Sequence, residues 1–288
     1  MKTKLFTKGK GTFAALQALA VTIQTCPIEE AAVHIARLQC DALFQGPAAK
    51  SMLCKLMAIC LTGAPSYDVF KLDGNGKLPF VAFSTLPGVT CPGAGQCLDF
   101  CYSYRAWRFP HSFGRMAQNA LLMRHAPHVI AQAFQNLPQA IDLRLYVDGD
   151  FSSAADVAFW FEHLNGRPDI RAYGYSKSFN ELLQFQGQWP ANYKLNISSG
   201  HAHTDDIKAQ VLELPITRGE FVALSIGRMV TAEQWNTKPV NDAVRAAGAA
   251  AGLPKVFPCP GHCGDCTPKG HACGSAAFKG IAIAIAMH

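Results

Sequence analysis

Residues 143–164 read LRLYVDGDFSSAADVAFWFEHL. Leu143–Val147 is a short run with the pattern of a strand set into a sheet. Asp148-Gly149-Asp150 then turns the chain. Ser153, with Asp156 three residues on, forms a variant capping box in which Asp stands where Glu or Gln is usual. Val157, Trp160, Phe161 and Leu164 follow at helical spacing. This strand–turn–helix unit decides the fold because it recurs. Phe80–Ser84, Arg171–Tyr175, Tyr193–Ser198, Phe221–Ile226 and Ile281–Ala286 are further candidate strands, with helical patterns at Arg115–Phe134 and Thr231–Ala251. Alternating strands and helices imply a mainly parallel sheet with right-handed crossovers. Six strands are too few for a closed eight-stranded barrel. The expected fold is therefore α/β, either a partial (β/α)6-like barrel or an open parallel sheet, with an N-terminal helical extension.

Toward the N-terminus, residues 12–63 read as helices. Pro27-Ile28-Glu29-Glu30 places a proline and two acids where a helix start favours them, and Gln45-Gly46-Pro47 separates that helix from Ala48–Leu61. Val69–Leu72 and Lys77–Ser84, on either side of Asp73-Gly74-Asn75-Gly76, predict a hairpin. The reading divides the chain into a helical region (1–64), an α/β core (65–258) and a C-terminal cysteine cluster with the last strand (259–288).

The chain has 288 residues, 49% hydrophobic and 16% charged, which excludes a disordered or coiled-coil protein. Its net charge of +6 comes from Lys2, Lys4, Lys8 and Lys10 and from lysines beyond Gly252, while acids and bases balance over residues 11–251. A broad basic face is thereby excluded, and nucleic-acid contact is left to the basic N-terminal arm. Phe13–Ile23 is interrupted by Gln17 and lacks a small-residue cleavage site after it, so it reads as an amphipathic helix rather than a signal peptide. No stretch reaches the roughly 18 apolar residues of a membrane span. The expected location is the cytoplasm.

Eleven cysteines are more than a chain of this length needs. Cys26, Cys40, Cys54 and Cys60 show no ligand spacing and read as buried free thiols. Seven fall into two Gly- and Pro-rich loops, Cys91-x5-Cys97-x3-Cys101 and Cys259-x3-Cys263-x2-Cys266-x6-Cys273. Without an export signal, a disulfide framework is disfavoured and metal ligation is the expectation. Zinc would take the four C-terminal cysteines, with His262 and His271 in the same loop. Three thiolates on a 4Fe-4S cluster leave one iron open and four close it, so a three-plus-four division suits an open cluster beside a closed one.

In an open α/β sheet, ligands gather at the carboxyl ends of the strands. The Cys91 loop follows the first such strand. The next end carries Asp148 and Asp150, able to bind an ammonium group, hold a metal or act as a base, or else to cap the following helix. Lys177 stands at the third, placed to pair with either acid or to hold a carboxylate or phosphate. Ser198, at the fourth, is a hydrogen-bonding candidate beside a capped helix start at Thr204. Tyr102, Tyr104, Arg105, Trp107, Arg108, Phe109 and His111 either stack bases or cover a cluster and exclude water.

Cys91-x5-Cys97-x3-Cys101-Tyr102, Leu145–Phe151, Tyr175-Ser176-Lys177-Ser178 and the C-terminal cysteines together resemble the phage gene-product-eighty-eight family, whose members come from phages and other mobile elements. The resemblance covers about residues 80–288. A more distant resemblance is to radical S-adenosylmethionine enzymes. Those have a partial (β/α)6 barrel, three cysteines after the first strand, and an acidic glycine-containing motif at the second strand end, where Asp148-Gly149-Asp150 falls. Their cysteines usually follow Cys-x3-Cys-x2-Cys. Here the third cysteine lies upstream at Cys91, and Ser103 follows Cys101.

The leading expectation is an iron–sulfur protein of a mobile element with a radical-enzyme-like layout. Cys91, Cys97 and Cys101 would hold an open 4Fe-4S cluster, and Cys259, Cys263, Cys266 and Cys273 a second, closed site. Asp148, Asp150 and Lys177 would be the catalytic groups. The resemblance brings S-adenosylmethionine as a cofactor near Asp148, Asp150 and Ser198. The alternative is a non-enzymatic module, stabilised by zinc or a cluster, that binds nucleic acid or a host or plasmid protein.

Overall fold

The computed structural model describes residues 10–74, 76–231, 234–264, 266, 267 and 270–287, and of Lys10 and Phe100 only the backbone. Lys2, Lys4 and Lys8 of the basic arm lie outside the described residues. The N-terminal apolar periodicity becomes α1 (Lys10–Thr25), α2 (Ile28–Cys40) and α3 (Pro47–Thr62). Leu16, Leu19, Ala20 and Ile23 of α1 are buried, so the amphipathic reading of this segment is correct. Gly63, at φ +66°, ends α3 in the left-handed conformation that glycine adopts without strain. Contrary to the expectation of four buried thiols, Cys40 and Cys54 are exposed and Cys26 and Cys60 half-buried. The apolar stripes of α2 and α3 are filled by larger side chains such as Ile35, Leu53 and Leu56.

The remaining helices are α4 (Pro110–His125), α5 (Pro127–Gln135), α6 (Ala154–Gly166), α7 (Phe179–Leu183), α8 (Asp205–Leu212) and α9 (Lys238–Ala250). The predicted helix Arg115–Phe134 is in fact two, because Pro127 cannot continue the hydrogen-bond ladder of α4. Arg124 of α4 donates to the carbonyls of Ile23 and Cys26 at the end of α1, where orphan acceptors favour a cation.

Among the described residues, seven strands form one all-parallel open sheet: β1 (Val81–Ala82), β2 (Asp142–Leu145), β3 (Arg171–Ser176), β4 (Tyr193–Ser198), β5 (Thr217–Leu224), β6 (Val256–Pro258) and β7 (Ala282–Ala286). Their order is β1-β2-β3-β4-β5-β7-β6. The expected hairpin at residues 69–84 is instead a single antiparallel bridge, Lys71 to Ala82, since β1 pairs sideways with β2.

The order explains the two faces of the sheet. From β1 to β5 the chain steps one place the same way each time, so right-handed connections put those helices on one face. It then skips a place to β6 and steps back to β7. That return runs the other way, which places the 259–281 segment on the opposite face. Packing agrees. Leu143, Leu145, Ala172, Tyr193, Leu195 and Ile197 join the core under the helices, whereas Tyr173, Tyr175, Phe221 and Ile283 meet Cys259, Cys266, Ala272 and Cys273. Parallel sheets usually bury two apolar faces. Here the face under the cysteine segment also carries Arg144, Asn196 and Arg218, held in hydrogen bonds or ring contacts. No helix among the described residues is long and apolar enough to cross a membrane.

Candidate functional site

The first cysteine loop lies over the carboxyl ends of β3 and β4. Gly95 and Cys97 both donate their N–H to the Gly200 carbonyl, at 3.0 and 3.3 Å, and Ala202 donates back to the Gly93 carbonyl at 3.0 Å. Glycine is required for this approach. A Cβ on Gly93 would overlap the Lys177 carbonyl, and one on Gly95 would sit 2.8 Å from the His201 carbonyl carbon. Docked in this way, Cys91, Cys97 and Cys101 gather around Tyr104, which is within electrostatic reach of all three. Burial pushes the Cys91 thiol up to about 12, and the nearby Asp150 carboxylate adds to the shift. Burial likewise raises Cys101, with Cys97 contributing.

The acidic turn sits beneath this loop. Gly149, at φ +80°, passes so close to Thr85 and Thr90 that a side chain there would collide. Asp148 accepts from Ser84 Oγ at 3.1 Å and from Ser103, and burial raises its pKa against those bonds. Asp150 accepts from the backbone N–H of Phe151 at 2.8 Å and of Lys177 at 2.6 Å, tying the end of β2 to the end of β3. Burial still pushes it up to about 6. The Lys177 ammonium does not form the expected ion pair with an acid. It donates to Ser198 Oγ at 2.7 Å, on the next strand end. Helix capping is shared out elsewhere, Ser153 accepting from Asp156 N–H on α6 and Thr204 from Ile207 N–H on α8.

The basic and aromatic run after Cys101 packs inward. Trp107 is fully buried, and Phe13 of α1 meets both Tyr104 and Trp107 at centroid distances of 5.3 and 5.6 Å. These rings cover the loop from behind. Tyr102 remains 58% exposed.

The C-terminal cysteines collect over the polar face of the sheet. Cys259 lies within electrostatic reach of Cys263 and Cys266, and Cys273 within reach of Cys259 and Cys263. Ala272 N–H donates to Cys266 Sγ at 3.2 Å, and Tyr175 Oη to Cys273 Sγ at 2.8 Å. Burial pushes Cys259 to about 11 and Cys273 to about 12. His271 packs its ring on Tyr173 and Phe80 and accepts from Gly274 N–H, while His262 is exposed.

Among the described residues no group of three or more His, Cys, Asp or Glu side chains is arranged around a point to hold a metal ion. The donor set nevertheless fits thiolate ligation. Burial holds these groups as protonated thiols, and thiols that would repel one another as anions release their protons when a cation arrives. Asp148, Asp150, Lys177 and Ser198 are brought together under the first loop, and the four C-terminal cysteines form a separate group.

Sequence reasoning missed Arg144. Its guanidinium lies 4.6 Å over the Tyr175 ring. Tyr102, Asp148, Tyr173 and Cys263 lie within its electrostatic reach. An arginine inside an apolar strand was the available signal.

The family model described as Gene product 88 matches residues 46–280. The chain belongs to the gene product 88 family. The match starts within α3's approach rather than near residue 80, so the last N-terminal helix is part of the family unit; α3 packs against α4 and belongs structurally to the core. All seven clustered cysteines fall inside the gene product 88 match, and Cys26 and Cys40 fall before it. No curated protein and no solved structure matches the chain.

Proposed function

We propose that this gene product 88 protein is an iron–sulfur protein with a radical-enzyme-like layout. Cys91, Cys97 and Cys101 would hold an open 4Fe-4S cluster, and Cys259, Cys263, Cys266 and Cys273 a closed one. The observation that carries the reading is the docking of the three-thiol loop directly over the strand ends bearing Asp148, Asp150, Lys177 and Ser198. The unbroken β1-to-β5 order supports it, being compatible with a partial barrel. An open cluster supplies single electrons to a bound cofactor, with S-adenosylmethionine the one the layout suggests. Asp148 is the acid placed to orient a cationic group, since its bonds come from side-chain hydroxyls. Asp150 fixes the β2–β3 corner through backbone donors. Lys177 and Ser198 present a polar pair at the neighbouring ends.

Anaerobic purification tests this. The expected product is a brown protein with acid-labile sulfide and a reduced-state paramagnetic signal. Substituting Cys97 with Ser should remove the signal of one cluster, and Cys263→Ser that of the other. Reductive cleavage of S-adenosylmethionine should require Cys97. A colourless protein loaded with zinc would overturn the reading and favour a module that binds a macromolecule.

A further inference from the structure

Arg144 is held by ring contacts, but no ion pair among the described residues meets its charge. It stands on β2, on the face shared with the C-terminal cysteines, half-buried between the two cysteine groups. No carboxylate among the described residues forms an ion pair with it. Its Nε is buried without a hydrogen-bond partner. A guanidinium keeps its charge at any physiological pH, and a buried donor left unmet calls for an explanation.

The surroundings define what would meet it. Tyr175 covers one guanidinium face. Tyr102, which hydrogen-bonds Arg144, is 58% exposed and marks the open side. Asp148, a carboxylate within electrostatic reach of Arg144, is engaged by Ser84 and Ser103. Lys177 stands at the end of the adjacent strand with its ammonium on a serine hydroxyl rather than on an acid. Arg144 is in register with Tyr173, so Lys177 lies four residues further along β3, roughly 13 Å at 3.3 Å per residue. Two cations with no carboxylate at ion-pair distance among the described residues, though Asp148 and Asp150 lie within electrostatic reach, thus bracket the space between the cysteine groups.

We propose that this space takes a small carboxylate-bearing molecule, with Arg144 holding the carboxylate through its Nε edge, Tyr102 adding a hydroxyl, and Lys177 set toward the molecule's far end. A carboxylate matches the planar fork of a guanidinium bidentately, and ring stacking holds that fork in orientation. As a substrate site this rests on the iron–sulfur reading. As an anion site it stands on Arg144 and its neighbours alone.

The test is equilibrium binding of succinate to the full-length protein, measured by calorimetry on anaerobically purified and on metal-free chain, with inorganic phosphate in a parallel arm. Succinate should bind, and Arg144→Gln should weaken it about tenfold or more. Arg144→Lys should also weaken it, because the charge stays but the fork is lost. Tyr102→Phe, at an exposed position that tolerates change, should weaken it a few-fold and serves if Arg144→Gln does not fold. Lys238→Gln, on the exposed side of α9, should leave binding unchanged. Phosphate binding more tightly than succinate would overturn the carboxylate assignment. Absence of succinate binding, or equal binding to the Arg144 variants, would overturn the site. Succinate binding that depends on Arg144 in anaerobically purified protein that itself carries no iron would uphold the anion site while removing the iron–sulfur reading.

Discussion

Asp150 is the residue whose charge costs the fold most visibly. Its carboxyl is buried, at 4% exposure, and sits at about 6 against an ordinary 3.8. A carboxyl whose folded-state pKa is raised contributes stability that is complete below its unfolded pKa and is lost as pH rises through the folded value. For a shift of about two units the loss amounts to about 3 kcal/mol between pH 4 and pH 7. Asp150→Asn removes the titration but turns an amide toward the N–H groups of Phe151 and Lys177, so the variant is less stable at low pH. The stability advantage of the natural chain over Asp150→Asn should therefore shrink as pH is raised from 4 to 7, followed by urea unfolding at each pH. An advantage that stays constant or grows would mean that the carboxyl is not held in this environment. The same residue shows where sequence reading stopped. Two acids around a glycine were legible as a site, but their division of labour was not, because Asp150 is tied to the backbone N–H of Lys177, 27 positions away in the chain.

Elements were legible in proportion to their length and periodicity. Tyr193–Ser198 was read to the residue, and α1 to α3 were read in outline because apolar stripes repeat over several turns. β6 was missed because Val256–Pro258 is three residues long and includes a proline, which suits only an edge. β1 was read too long because only two of its residues find a ladder. Arg144 passed unread because Leu143-Arg144-Leu145 fits an alternating strand, and only the strand order shows what its outward phase faces. What a helix does for a distant loop was equally hidden. Phe13 of α1 is an anchor for the 3-10 helix Tyr102–Arg108, through Tyr104 and through Trp107, which in turn meets Phe113 at 5.2 Å. Phe13 is only partly buried, so Phe13→Ala should cost about 2–3 kcal/mol, below the range for a fully buried ring. Its distinguishing effect is local: amide hydrogen exchange over residues 102–108 should accelerate more than at β3 or β4. Uniform acceleration would mean that α1 stabilises the molecule without anchoring the loop.

At the scale of the whole molecule, the C-terminal cysteines reach the sheet because the chain makes one backward step, from β6 to β7, and carries residues 259–281 across the face of strands formed much earlier. That step holds a long connection against the sheet with few regular hydrogen bonds, so its attachment must come from side chains. Asn196 at the middle of β4 provides it. Its Nδ2 donates to the carbonyls of Gly174 and Cys273, both at 3.0 Å, and its Oδ1 accepts from Arg218 Nε at 2.6 Å. Arg218 in turn donates to the carbonyls of Phe278 and Ile281, where the connection enters β7. Asn196→Ala would leave the Cys273 carbonyl and the Arg218 N–H unmet in a buried place, at a cost of about 3 kcal/mol or more. The helix face should not feel the loss, since Leu195 and Ile197 point the other way into the main core. Asn196→Ala should accordingly show protease cleavage confined to residues 259–281 while the rest of the chain stays resistant. It should also show faster alkylation of Cys259, Cys266 and Cys273 than of Cys91 and Cys97. Equal acceleration at both groups, or cleavage spread over α1 to α6, would mean that the connection and the sheet come apart as one unit and that Asn196 is not the clasp between them.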